Sequence, residues 1–342
     1  MKPAPFEHHR PGSVEEALDL LDELEEAELL AGNQSLGIVM ANRLATPDHL
    51  IDLNGIDELR GIDVDDETVT VGAMTTHRTL ERSERLAEAM PMLPEAAEQI
   101  AGPAVRNQGT LGGSIGEADP AGNYPAALVA LGGSLTLRSA DGRREVPVDD
   151  YFIAYMFTDL REEEIIESAT IPREPFPPAR TGMSFLELKR AAQTWPTVSA
   201  AASVRVDDPA AAEPIVEDAR LALANAADVP LRVPDAEAVL EDEPLSEAAL
   251  AEVAEIVTDA VTPEGEMHAD REYKEEVAGE YAKRSLVRAY DRAVGGPGDA
   301  GGSGESHGAG GSSGAGGSGG SSGADGSGGS SGADDAGATD AA

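Results

Sequence analysis

The stretch Asn107-Gln108-Gly109-Thr110-Leu111-Gly112-Gly113-Ser114-Ile115-Gly116-Glu117-Ala118-Asp119-Pro120-Ala121-Gly122-Asn123-Tyr124-Pro125 organises the rest of the chain. Five glycines crowd it, with Thr110, Ser114 and Asp119 among them. Backbone amides and hydroxyls can therefore approach a ligand that bulkier side chains would keep out. No Gly-Lys-Ser/Thr follows, so this is not a Walker loop, and the spacing from Gly109 to Gly116 departs from the dinucleotide fingerprint. Alone, the stretch suits either a phosphate cradle or a flexible Gly-rich connection.

A second stretch favours the cradle. Leu29-Leu30-Ala31-Gly32-Asn33-Gln34-Ser35-Leu36 is a short apolar strand running into a tight turn, whose Gly, Asn and Ser can again offer backbone N–H groups to an anion. Two separate cradles suit a ligand with two phosphates. The pair resembles the AGGxSL and TIGG segments of the FAD-binding medium subunit of molybdenum hydroxylases, the carbon monoxide dehydrogenase and xanthine dehydrogenase type. The likeness extends through most of residues 1 to 290.

Composition sets the outer bounds. The chain has 342 residues, enough for two or three modest domains, and 41% hydrophobic residues can build real cores. No apolar run reaches the roughly 18 residues of a membrane span, and Met1-Lys2-Pro3-Ala4-Pro5 lacks a secretory apolar segment, so a cytoplasmic location is expected. The absence of cysteine excludes disulfides, thiolate zinc sites, cysteine nucleophiles and iron–sulfur clusters on this chain. A net charge of −39, with lysine only at 2, 189, 274 and 283, argues against nucleic acid or an anionic membrane as partner. It fits a protein working in concentrated salt, where at about 1 M the Debye length of roughly 3 Å screens self-repulsion.

Along the chain, Ser13 with Glu16 forms a capping box, and Val14, Leu18, Leu21 and Leu24 repeat at helical spacing. Strands are expected at 28–31, 49–53 and 68–72, and helices at 79–90 and 94–100. His8, His9, His49 and His77 have no spacing that gathers them on one metal, and are read as surface or packing histidines. After the Gly-rich stretch a buried helix covers 124–131, and Asp141-Gly142 turns a hairpin between 133–138 and 145–148. A strand covers 164–171. Four prolines between Pro172 and Pro178 forbid a helix and mark a domain boundary. Further strands lie near 184–188, 197–206 and 218–224, then helices near 247–260 and 272–294, the last with Tyr273, Val277, Tyr281, Val287 and Tyr290 on its apolar face. From Gly295 onward Gly, Ser, Ala and Asp dominate without Lys or Arg, the composition of a disordered tail.

The resemblance implies an α+β architecture: a two-subdomain FAD-binding PCMH-type (vanillyl-alcohol oxidase-like) fold over 1–175, with subdomains of about 1–60 and 61–175, then a small sheet-plus-helices domain over 180–294. It implies that Ala31, Gly32, Asn33, Gln34, Ser35 and Leu36 wrap the FAD pyrophosphate, with Asn33 where the family has a second Gly; Asn tolerates the left-handed region that such a turn needs. Thr110, Leu111, Gly112, Gly113 and Ser114 match the second cofactor segment, and Ile100 stands where family members contact the cofactor just before it. In the family's HADPAADWP-like stretch Asp119 is kept, while the flavin-side acidic position is Asn123. Leu186 to Thr197 resembles the LKRRxGDxA stretch, which implies that Lys189 places a cation near the flavin's pyrimidine edge. Trp195 packs either beside the isoalloxazine or in the core. Asp270 to Ala293 resembles the SAEYRR segment and the last helix.

By the same resemblance FAD is the cofactor of this chain. Molybdopterin belongs to a large partner subunit and two [2Fe–2S] clusters to a small one, in a dimer of heterotrimers whose electrons reach FAD and then an acceptor such as NAD or a quinone. No side chain need act as nucleophile or metal ligand. Two other classes remain open on sequence: a stand-alone FAD-dependent oxidoreductase of the same fold, and a non-catalytic nucleotide-binding assembly protein.

Overall fold

The computed structural model describes residues 2–295; the tail read from composition lies, beyond Gly295, outside the described residues. Ser13 caps the helix Val14–Glu23 as its sequence requires, its hydroxyl accepting from the Glu16 N–H at 3.2 Å while Glu16 Oε2 accepts from the Gly12 N–H at 2.8 Å. Val14, Ala17 and Leu18 are buried against Ile51, Leu53, Ile56 and Leu59, which closes a small core. Its sheet is parallel, with His49–Asp52 between Glu7–His9 and Ala27–Leu30. The strand Glu7–His9 carries no sequence signal, since three residues of which two are His have no readable alternation.

Parallel pairing also alters the expectation for the histidines. Glu7 stands opposite His49 and His9 opposite Ile51, so His9 and His49 come together across a gap of 40 residues. Spacing along the chain could not show this because the two lie on different strands.

The second sheet is antiparallel and five-stranded, in the order Ile62–Val64, Thr68–Gly72, Ile165–Pro172, Ser134–Ser139, Gly142–Pro147. The Asp141-Gly142 hairpin forms as expected, with Ser139 paired to Gly142. The helix Asn123–Leu131 is apolar after Asn123 and buried at every residue, packing beside Met92–Glu98. The single helix expected over 79–90 is instead two, His77–Glu81 and Glu84–Ala89, because Ser83 leaves the helical path and caps the second through the Leu86 N–H at 3.2 Å. The Gly-rich stretch, expected to be mostly loop, contains the helix Leu111–Glu117, capped by Thr110.

The C-terminal part is a four-stranded antiparallel sheet, Thr181–Leu188, Val198–Val206, Val216–Ala224 and Leu231–Arg232, covered by the helices Glu247–Ala260 and Arg271–Ala293. The buried face of the last helix differs from the expected tyrosine stripe: it is Lys274, Ala278, Ala282, Ser285, Leu286, Ala289 and Ala293, while Tyr273 is 45% exposed. Small side chains let the helix lie close to the sheet, and the larger Val277, Tyr281, Val287 and Tyr290 pack only at its margins. Lys274 is tolerated inside because Glu266 accepts from its ammonium at 2.9 Å.

Candidate functional site

The two glycine turns meet. The first leaves the strand Ala27–Leu30, passes Asn33 in the left-handed region at φ +57°, and enters the helix Leu36–Ala41 at Ser35. Gln34 Nε2 closes the turn by donating to the Gly32 carbonyl at 2.7 Å, and Asn54 Nδ2 holds it from below by donating to the Ala31 carbonyl at 2.8 Å. Gly32 lies against the second stretch so tightly that a Cβ there would fall 2.6 Å from the Gly109 Cα. One helical step further on, a Cβ on Gly113 would stand 3.5 Å from that of Ala31. Ser35 reaches the same place, beside the Glu117 carboxylate, whose pKa it lowers against the effect of burial.

The turns contribute differently. In the second, the Leu111 N–H donates to the Thr75 carbonyl at 3.0 Å, that of Gly112 to Ala73 at 2.7 Å, that of Gly113 to Thr110 Oγ1 at 3.1 Å and that of Ser114 to the Thr110 carbonyl at 3.1 Å. These amides are spent, and Leu111 and Gly112 are buried in the core. Four consecutive amides of this stretch are therefore taken up within the chain, and close packing demands glycine at 112, where a Cβ would sit 2.5 Å from that of Ala73. In the first turn, by contrast, the N–H groups of Gly32, Asn33, Gln34 and Ser35 have no acceptor among the described residues. Unclaimed amides on a turn form an anion-binding concavity, and the diphosphate of FAD fits that donor set.

A second group of residues gathers around Gln99 and Glu187. Asn123 is buried and donates from Nδ2 to the Ala96 carbonyl at 2.9 Å. Lys189, at the end of the strand Thr181–Leu188, donates to the Gln99 carbonyl, beside Ile100, and pairs with Glu187. The Glu187 side chain is 1% exposed, and burial raises its pKa against the opposing pull of Lys189 and the Asn123 amide. Gln99 Nε2 ties this corner to the strand through the Phe185 carbonyl at 3.0 Å. Asp119 turns the chain between the two groups, its Oδ1 accepting from the Ala121 N–H at 2.9 Å. Trp195 is 60% exposed, which rules out the core position considered for it.

Sequence reasoning missed Glu117 and Glu187. Glu117 has a raised pKa, chiefly from burial and then from the charge of Asp119, with Ser35 opposing both. In a chain with 64 acidic residues nothing marks these two until burial is known. His77 supports the second turn from behind: its N–H donates to the Gly109 carbonyl at 2.9 Å, and its ring lies 5.3 Å from that of Tyr124. Burial first, and the Arg106 charge second, push its pKa down to about 4.

The chain matches known proteins over both of its parts. Residues 4–174 match the family model "FAD binding domain in molybdopterin dehydrogenase", and residues 183–289 match "CO dehydrogenase flavoprotein C-terminal domain". The carbon monoxide dehydrogenase medium chain of Hydrogenophaga pseudoflava is 37% identical over 295 residues, covering 86% of this chain and 100% of the relative. The nicotine 6-hydroxylase medium subunit of Paenarthrobacter nicotinovorans is 34% identical, covering 84% and 99%. A solved structure of carbon monoxide dehydrogenase from H. pseudoflava superposes with a TM-score of 0.81 at 38% identity, covering 85% of this chain and 99% of that one. The paired glycine turns, the two matched domains and these full-length relatives together show that the chain belongs to the FAD-binding medium subunits of molybdenum hydroxylases, the carbon monoxide dehydrogenase and xanthine dehydrogenase type.

Proposed function

We propose that this chain is the electron-output subunit of its complex, taking electrons from [2Fe–2S] clusters on a small partner subunit and delivering them to an acceptor such as NAD or a quinone. Bound FAD supplies the redox chemistry, and the protein binds, orients and tunes it. The observation that carries this reading is the row of unclaimed amides from Gly32 to Ser35, pressed by Gly32 onto Gly109. Those amides would hold the diphosphate. Gly113 and Ser114 would flank it, with Thr110, Leu111 and Gly112 fixing their position. Asn123, Ile100 and Lys189 would border the isoalloxazine. Lys189 enters this arrangement already paired with Glu187, so the local field is that of an ion pair and not of an isolated cation.

The domain limits that fit this reading are 1–175 for FAD binding and 180–294 for the C-terminal part. Partners would be a molybdopterin-binding large subunit and the cluster-bearing small subunit, in a dimer of heterotrimers. The absence of cysteine leaves no site for clusters on this chain. None of the described helices is long and apolar enough to cross a membrane, and the acidic surface suits a cytoplasm rich in salt.

Reconstitution tests the reading. The purified chain, stripped of flavin and titrated with FAD, is expected to bind one equivalent with quenched flavin fluorescence and to be retained by the cluster-bearing subunit. Binding of FMN and riboflavin as tightly as FAD would contradict a diphosphate cradle, and monodisperse activity without partners would favour the stand-alone oxidoreductase.

A further inference from the structure

We propose that Glu7, His9 and His49 form a binding site for a divalent transition-metal ion of the zinc class, separate from the flavin cleft. The sheet register sets it up: Glu7 is directly opposite His49 on the neighbouring parallel strand, and His9 is two residues along from Glu7, so all three side chains leave the same face. His9 Nε2 lies 3.1 Å from His49 Nδ1, and Glu7 Oε2 lies 3.8 Å from the same His49 nitrogen. All three ligand atoms fall within 4.8 Å of one another.

Those separations are close to what a metal imposes. Bonds of about 2.0–2.1 Å in a tetrahedral zinc site place ligand atoms roughly 3.3–3.4 Å apart, so the two contacts of His49 need shifts of a few tenths of an ångström, and the exposed Glu7 carboxylate, within 4.8 Å of His9 Nε2, closes the shell by side-chain rotation. A hydrogen bond between the two imidazoles accounts for the first contact and an ion pair of Glu7 with protonated His49 for the second, whereas a metal ion engages all three side chains at once. The backbone beneath is already ordered, with the Glu7 N–H donating to the Asp48 carbonyl at 2.8 Å.

The donor set selects the ion. Two imidazoles and one carboxylate favour zinc, copper or nickel over magnesium and calcium, which prefer oxygen-only shells. That discrimination matters on a surface where carboxylates attract hard cations everywhere. Three ligands leave a fourth position on the outer side, where the Glu7 side chain is 76% exposed. The strands start at this end: His49 pairs with Ala27, whereas the Ala31–Ser35 turn follows Leu30, which pairs with Asp52. A bound ion would therefore clip the edge strand Glu7–His9 onto the central strand and take no part in flavin chemistry.

The test uses the full chain treated with a chelator, then titrated with Co²⁺ and Zn²⁺ in buffer holding excess Mg²⁺ to occupy non-specific carboxylates. One equivalent of Co²⁺ is expected to give the intense visible bands of a tetrahedral site, to be displaced by Zn²⁺, and to raise the melting temperature by mass action. His9→Ala and His49→Ala are each expected to weaken binding by about 100-fold or more, since loss of even an outer-shell partner costs about 10–100-fold. Glu7→Gln, on the exposed edge, is expected to fold normally and to change the Co²⁺ spectrum. Absence of a saturable site under Mg²⁺, or an unchanged spectrum in Glu7→Gln and His9→Ala, would overturn the proposal.

Discussion

Gly32 packs on Gly109, with the Gly109 Cα only 2.6 Å from where a Gly32 Cβ would stand. They lie 77 positions apart in the chain, and this contact makes two turns into one cleft. An alanine at 32 must push the turns apart. Gly32→Ala is expected to weaken FAD binding at least tenfold in a fluorescence titration. Gly116→Ala, whose Cβ would meet only Ile166 Cδ1 at 3.5 Å, is the control and should bind normally.

Gly112 is expected to behave differently. Its missing Cβ is filled by Ala73, a core residue, and its N–H is bonded to the Ala73 carbonyl. Gly112→Val therefore overpacks the core and should cost about 1–3 kcal/mol or more before any cofactor is considered. Chemical denaturation of the flavin-free protein reads this directly; unchanged stability with FAD lost would return Gly112 to the cleft.

The Lys189–Glu187 pair invites a double-mutant cycle. Lys189→Met strands a buried carboxylate and should destabilise by about 3–5 kcal/mol at neutral pH. That penalty should shrink as pH falls, because burial already raises the Glu187 pKa and a protonated carboxyl needs no cation. Lys189→Met combined with Glu187→Leu should recover most of the loss. Strict additivity of the two single changes, measured by denaturation at pH 7, would show that the pair is not coupled.

His77 sets a pH dependence with a definite sign. Its pKa in the fold is about 4 against 6.5 when unperturbed, so the unfolded chain binds the extra proton first. This contribution is complete above pH 6.5, and it is lost at up to about 1.4 kcal/mol per pH unit as pH falls toward 4. Glu28, Glu117 and Glu187, with raised pKa values, push the other way. The comparison that isolates His77 is therefore wild type against His77→Gln. The variant should lose less stability between pH 6.5 and 4.

Salt should stabilise the chain. With a net charge of −39, raising KCl from about 0.1 M to about 1 M shortens the Debye length from about 10 Å to about 3 Å and screens the repulsion that opposes compaction. Calorimetry should show a melting temperature that climbs over this range. A flat profile would mean that charge repulsion does not limit the stability of the fold.

Local features were readable wherever neighbours in sequence decide them. Ser13 with Glu16, Asp141 with Gly142, and the unbroken apolar run from Tyr124 to Leu131 each carry their partner within a few residues, and the structure realises all three. The strand Glu7–His9 and the Glu7–His9–His49 cluster were not readable, because parallel pairing joins segments about 40 residues apart and leaves no periodic trace. The last helix shows the same boundary: its bulky residues suggested one face, and the sheet accepted the face lined with alanine.

The sequence by itself determined that two glycine-bearing turns exist, that no cysteine can hold a cluster, and that the surface is strongly acidic. Only the tertiary structure decided which turn keeps its amides free. Residues 111–114 lose theirs to Ala73, Thr75 and Thr110, whereas Gly32 to Ser35 find no acceptor among the described residues. An amide's partner depends on which segment folds against it, and that segment is often distant in the chain.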